Sequence, residues 1–472
     1  MSFSAVPPKR ILSVFSLVMI NVIAVDSIRT LPLAATYGVS LLTLYAIGAI
    51  LFFIPTALIS AELATTWPMK GGMYVWVKEA FGARWGFLVV YLQWIYNIVW
   101  YPTILSLVAA TFAYLFDPSL VNNKAYMASM VLMIFWGSTF INFCGMKMSS
   151  WISTFGSLIG TMLPMGLIIA CAGYWLFSGQ PSQTELSFAA LVPKIDSLSQ
   201  LVFFSAILYS LLGLEMSSVH ALEVKNPESD YPKALLISAL IVLFSLTLSA
   251  VAIAIVVPKS ELNIVSGIIQ AFTLFLNSFN LSYLTPIVAL IIVIGGICQV
   301  ATWIIGPTKG LWASVDDGYL PKVLSKTNKK NVPVNMLVAQ ALICTLLSLT
   351  FVLLPTVKSS YWALSAMAAQ LSLIMYAVLF SAAIRLRYNR KDVFRPFKIP
   401  FGNVGIWVIA GTGFIVSVLV TLLGFIPPAD IPVGNIWVYE GILFTGIAVI
   451  LIPFFLKRKP NLDHTKAPEA LL

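Results

Sequence analysis

The chain has 472 residues, of which 59% are hydrophobic and 10% charged, with a mean hydropathy of +0.94. A soluble domain carries roughly 25% charged residues, so this composition excludes a water-soluble globule. The net charge of +10 would fit a nucleic-acid binder if the basic residues clustered on one surface; they lie between apolar runs instead, which excludes that class.

Those runs are about 18 to 25 residues long, the length a bilayer core requires. They predict twelve helical spans, at about 13–36, 40–64, 85–116, 125–145, 151–177, 198–223, 234–257, 286–312, 333–354, 362–386, 404–425 and 436–456. None shows the alternation of a membrane β-strand. The N-terminal run after Lys9 and Arg10 lacks a small-residue cleavage site and reads as the first span rather than a signal peptide. Between the seventh and eighth spans, 264–277 is apolar but too short to cross, which fits an extracellular helix or a re-entrant lid.

On this reading 23 of the 28 Lys and Arg residues fall on one side, in the N-terminus, the even-to-odd loops and the tail. Lys124, Lys194, Lys259 and Lys358 fall on the other, and Arg29 lies within a span. Positive charge marks the cytoplasmic side, so both termini are expected there, with 1–12 as the N-terminal segment and 457–472 as the tail. Cys144, Cys171, Cys298 and Cys344 have no ligand-like spacing and read as packing residues. His220 and His464 are the chain's two histidines, too few for a histidine-rich metal site. No cofactor is expected.

Two spans are interrupted by polar residues. The first holds Asp26-Ser27-Ile28-Arg29-Thr30-Leu31-Pro32, and the sixth holds Tyr209-Ser210-Leu211-Leu212-Gly213-Leu214-Glu215. They are corresponding members of two five-span sets, 13–177 and 198–386, with 404–456 as two extra spans. An odd-numbered set reverses direction, so the second set is expected to run inverted. Broken helices at matching positions of inverted repeats point to a transporter's substrate site.

A charge inside the bilayer costs about 2.5–3.5 kcal/mol on insertion scales, so Asp26, Arg29 and Glu215 need a reason to be there. Asp26 and Arg29, three apart, either neutralise each other on one helix face or serve a substrate. In the second case Arg29 meets an acidic group and Asp26 an amine or a proton. Glu215 either receives a proton or senses an ammonium group, or it caps backbone donors freed by the break. Both carboxylates are expected to face one shared hollow. Glu62 reads as a local pairing residue, His220 as an interface histidine, and Tyr209 and Trp303 as the aromatics nearest the unusual polar stretches.

Several motifs then occur in order. Ala61-Glu62-Leu63-Ala64, Trp67-Pro68, Gly71-Gly72-Met73-Tyr74-Val75-Trp76-Val77, Phe81-Gly82 and Trp85-Gly86-Phe87 join helices two and three. Glu223-Val224-Lys225-Asn226-Pro227 with Asp230-Tyr231-Pro232-Lys233-Ala234 follows helix six. Trp303-Ile304-Ile305-Gly306-Pro307 and Asp317-Gly318-Tyr319-Leu320-Pro321 surround the end of helix eight, and Arg395-Pro396-Phe397-Lys398-Ile399-Pro400 precedes helix eleven. Together they make the chain resemble the amino acid, polyamine and organocation superfamily, and within it the bacterial glutamate:GABA antiporter family.

The resemblance implies an all-α membrane protein with a LeuT-like five-plus-five inverted repeat, exchanging amino acids by alternating access in a bacterial inner membrane. It places substrate at Asp26, Ser27, Ile28 and Arg29 of helix one, Asn97 of helix three, Tyr209, Leu212, Gly213 and Glu215 of helix six, and Trp303 of helix eight. The implied partners are small amino acids, the lipid bilayer and, in a proton-coupled symporter as the alternative, protons; no oligomeric state follows. Relatives commonly place small glycine-type residues where this chain has Val25-Asp26-Ser27, and some proton-coupled ones carry a helix-five lysine where this chain has Thr154. The tail lacks the histidine-rich plug of the family's acid-resistance member. A membrane-embedded sensor or enzyme is the reading from a different class, and no phosphate loop or nucleophile elbow favours it.

Overall fold

The structure is a computed structural model that describes residues 12–69, 71–143, 156, 158–312, 314–315, 317–321, 323–324, 326–328, 332–428 and 430–456. Thr154, Cys144, His464 and the two terminal segments lie outside the described residues, as does the side chain of His220. Among the described residues twelve helices are long and apolar enough to cross a membrane. They are α1 (Val14–Ala35), α2 (Gly38–Thr66), α3 (Ala83–Ala113), α4 (Lys124–Phe143), α5 (Leu158–Phe177) and α6 (Leu198–Ser218). There follow α7 (Pro227–Val256), α8 (Thr285–Trp312), α9 (Val334–Leu353), α10 (Val357–Asn389), α11 (Gly402–Leu423) and α12 (Ile436–Phe455). The short apolar stretch before α8 is a helix, Gly267–Ser278.

Burial ranks these helices. The most apolar stretch of α3 is 94% buried, that of α6 83% and that of α10 72%, against 28% and 22% for α11 and α12. The bundle is therefore built around α3, α6 and α10, with the last two helices on its flank.

The packing partners have an internal regularity. α1 packs on α7, and α2 on the second half of α6; α3 packs on α10, and α8 on α5. α4 packs on α8, and α9 on α3; α5 packs on α7, and α10 on α2; α3 meets α8 and α4 meets α9. Adding five to the number of each helix in the first set, and subtracting five in the second, maps this pairing onto itself. A repeated five-helix unit produces that relation.

Small residues set the closest crossing. A Cβ added to Gly160 of α5 would lie 1.8 Å from the Cα of Gly295 in α8, a distance only two glycines permit. Close approach at small residues is how membrane helices gain packing energy where lipid offers no hydrophobic drive. Gly160→Ala should therefore destabilise the protein by about 1–3 kcal/mol through overpacking. Gly173→Ala on the same helix, where an added Cβ meets nothing within 4 Å, should be neutral or slightly stabilising. Thermal unfolding of the two detergent-solubilised variants checks this, and equal melting temperatures would remove the crossing as a constraint.

At the end of the bundle where α2, α8 and α10 finish, the helix Met73–Phe81 lies beside α3. Lys78 on it pairs with Asp317 beyond α8 at 2.7 Å. The helix Gly267–Ser278 lies towards the opposite end, where Gly267 contacts Pro32 of α1.

Candidate functional site

Both interrupted sequences break their helices. In α1 the helix Val14–Val25 stops at Asp26 (ψ 122°), and Ser27 is extended (φ −143°, ψ 123°). A 3₁₀ turn, Ile28–Thr30, leads into the short helix Leu31–Ala35. Pro32 explains the position, since a proline has no N–H and its ring clashes with the carbonyl four residues earlier in a continuous helix. In α6 the helix Phe204–Ser210 gives way at Leu211, and a 3₁₀ segment, Leu214–Glu223, continues the chain. Gly213 between them has φ +114°, a conformation glycine adopts without penalty. A Cβ at Gly213 would lie 3.3 Å from the carbonyl oxygen of Ala24, so the two breaks face each other.

Next to them is a cavity of about 50 Å³. Ala24, Val25, Ser27, Arg29 and Thr30 line it from α1, and Tyr209, Ser210 and Leu212 from α6. Tyr96, Asn97 and Trp100 of α3, with Gln299 and Trp303 of α8, complete it. Trp100 and Trp303 stand with ring centroids 6.1 Å apart, and Tyr96 and Tyr209 meet edge to face at 6.5 Å. The Tyr101 hydroxyl donates to the Trp303 carbonyl at 2.8 Å, fixing α8 against α3.

Arg29 is the charged residue of this lining, and it is 2% exposed. One Nη donates to Ser365 Oγ at 3.1 Å, and the guanidinium lies 5.1 Å from the Tyr209 ring centroid and 5.9 Å from that of Tyr361. The Tyr361 hydroxyl donates to the Arg29 carbonyl at 2.8 Å. Among the described residues no carboxylate pairs with it. Its Nε, and the Oγ of Ser27, are buried without a hydrogen-bond partner. Buried polar atoms normally have partners, so these orphaned groups mark where a polar ligand would fit.

The expected site residues divide. Ser27, Arg29, Asn97, Tyr209, Leu212 and Trp303 line the cavity; Asp26, Ile28, Gly213 and Glu215 do not. Gly213 supplies the break, and Ile28 is packed into the core. The expectation that both carboxylates face one hollow is corrected by the geometry. Both oxygens of Asp26 lie 2.9 Å from the Ser245 hydroxyl of α7, and the side chain lines a separate cleft between α5 and α7. The cause is local: at ψ 122° the chain leaves the helix at Asp26, so Asp26 and Arg29 do not share the helical face that their spacing implies. The alternative of mutual neutralisation falls with it. Glu215 lies towards α10, where the Tyr376 hydroxyl donates to it and also accepts from the Gly213 N–H.

Tyr96, Trp100, Ser210, Thr30 and Gln299 were not anticipated as lining residues. Spacing held the signal for two of them: Trp100 lies one turn from Asn97, and Gln299 one turn before Trp303. Glu62 is a pairing residue, as expected. It takes Arg387 of α10, stands 3.1 Å from Arg395 Nε, and accepts from the Ile399 N–H at 2.8 Å.

Twelve apolar helices around a buried polar cavity, placed where two of them break, define a membrane transporter. The sequence pattern of the amino acid permease family matches residues 11–450, and the chain belongs to that family. An uncharacterized transporter of Legionella pneumophila is 48% identical, over 96% of this chain and 97% of its own length. A glutamate/gamma-aminobutyrate antiporter of Lactococcus lactis subsp. lactis is 30% identical, over 94% and 90% respectively, and that of subsp. cremoris is 30% identical over the same shares.

Proposed function

We propose that this protein is a secondary amino acid exchanger working by alternating access, with substrate bound in the α1–α6 cavity. The observation that carries this is the pair of facing helix breaks, with the Arg29 guanidinium, which has no carboxylate partner among the described residues, and the unsatisfied Ser27 hydroxyl beside them. Broken helices release backbone donors that bind a carboxylate, and Trp100, Trp303 and Tyr209 offer apolar walls for a side chain. The antiporter relatives support exchange. The pairing of helices supports reading 13–177 and 198–386 as the two halves of the repeat. The distribution of Lys and Arg supports a bacterial inner-membrane protein with both termini in the cytoplasm.

A cavity of 50 Å³ is smaller than the roughly 150 Å³ that benzene occupies in an engineered cavity, and most amino acids are larger than benzene. The site is thus too small for an amino acid in this structure, and substrate entry requires the two halves of α1 and α6 to shift. In this reading substrate stabilises the closed state and so shifts the population between the inward-open and outward-open states.

The test is counterflow in proteoliposomes preloaded with each amino acid in turn, with and without a pH gradient. Accumulation of labelled amino acid against its own gradient is expected for at least one of them, and its absence throughout the set overturns the exchange reading. Trp303→Ala should weaken binding of that amino acid by about 2 kcal/mol, as for other packed aromatic anchors, which is about thirtyfold in Kd. Calorimetry measures it, and an unchanged constant removes Trp303 from the site.

A further inference from the structure

The intramembrane acid of α1 lies outside the cavity just described. Asp26 is 1% exposed. Around its side chain stand Met162, Met165 and Ile169 of α5 and Leu240, Phe244 and Ser245 of α7. None of these is charged. From α8 the approaching group is the neutral amide of Gln299, and from α2 the titratable group within electrostatic range is the Tyr45 hydroxyl, which pairs with Ser210. Arg29, on the same helix, turns away to Ser365, and Glu215 of α6, whose second half packs on α1, turns to Tyr376 of α10.

The hydrogen bonds around Asp26 can be counted. The Ser245 hydroxyl lies 2.9 Å from both carboxyl oxygens and 3.1 Å from the Val242 carbonyl, and it carries one proton. If Asp26 is ionised, that proton serves a single oxygen, the other is left bare, and the Val242 contact is lost. If Asp26 is a neutral acid, its O–H donates to Ser245, and Ser245 donates to Val242. Every proton then has an acceptor, and the one oxygen left without a donor is an uncharged carbonyl. A bare buried carboxylate is the costlier arrangement by far.

Asp26 is also tied to the cavity. Its carbonyl accepts from Gln299 Nε2 at 3.2 Å, and Gln299 lines the cavity. The residue sits at the hinge of α1, so any shift of the break that admits substrate also moves its carboxyl group relative to Ser245.

We propose that Asp26 is a proton-binding residue of the transport cycle, neutral in the arrangement seen here and releasing its proton to water when movement at the break parts it from Ser245. The step leaves a carboxylate on Asp26 and a hydronium ion in the water that enters, and the return movement takes a proton back. This rests on the transport reading of the neighbouring cavity and adds a coupled ion at a second place on the same hinge.

Two readouts test it. Infrared difference spectra of wild type against Asp26→Asn, without substrate, should show a protonated carboxyl stretch near neutral pH that the variant lacks. In liposomes, exchange of the amino acid identified by counterflow should vary severalfold in wild type across the range from about pH 5 to about pH 8, the window in which perturbed groups commonly switch. In Asp26→Asn that dependence should be lost. Should Asp26→Asn fail to fold, Ser245→Ala replaces it and should shift the pH midpoint of both signals. A missing carboxyl band, or a variant that keeps the wild-type pH response, overturns the proposal. A wild type that shows the band but transports no amino acid overturns the exchange reading and leaves the proton site standing.

Discussion

Replacing Arg29 with methionine should weaken substrate binding about ten- to a hundredfold and leave the protein at least as stable as wild type. Hydrogen bonds made to a charged group are worth about 1.5–3 kcal/mol, which sets the range through the tenfold per 1.4 kcal/mol relation. The stability half follows from the guanidinium having no counter-ion among the described residues: its recorded side-chain partners are a serine hydroxyl and two aromatic faces. A buried charge without a partner opposes folding, and an apolar residue of similar length removes that cost. Methionine also fills an irregular space well. Calorimetry and thermal unfolding on the same preparation decide the matter. A fall in both affinity and stability would make Arg29 a structural residue; unchanged affinity would remove it from the substrate site.

The paradox of a charge that destabilises the fold is what made this site readable in the sequence. Asp26, Arg29 and Glu215 stand out against apolar spans, and Pro32 and Gly213 mark the breaks because their backbones cannot, or need not, continue a helix. The side-chain directions were not readable. Spacing of three puts Asp26 and Arg29 on one face only while the helix is intact, and the break turns one towards α7 and the other towards α10. Glu215 has the same history, since its partner Tyr376 lies 161 positions away and nothing local announces it. Tyr96 and Trp100 were hidden for another reason: in α3, which is buried almost all round, every aromatic looks like packing. The twelve spans themselves were legible because length and apolarity are local properties. Which helices occupy the centre depended on contacts between them.

Glu62→Ala should lower stability by about 3–5 kcal/mol, the cost of stripping one partner from a buried ion pair. Glu62, Arg387 and Arg395 have side chains only 5%, 3% and 6% exposed, so solvent does little to screen the cations left behind. Arg395 already feels this: burial and the neighbouring Arg387 hold its guanidinium below the usual range, against the pull of Glu62. The carboxylate also takes the Ile399 N–H, so it ties α2 and α10 to the segment before α11 at a single point. Replacing all three charged residues with methionine should recover much of the loss, because an apolar set of similar volume avoids the desolvation of every member. Thermal unfolding of the single and triple variants measures both effects. Counterflow on the triple variant then separates two roles. Unchanged exchange would make the cluster a staple that holds one end of the bundle in every state. A rate that changes while stability is restored would mean that these charges part during the cycle, and that Glu62 closes this end of the bundle rather than only bracing it.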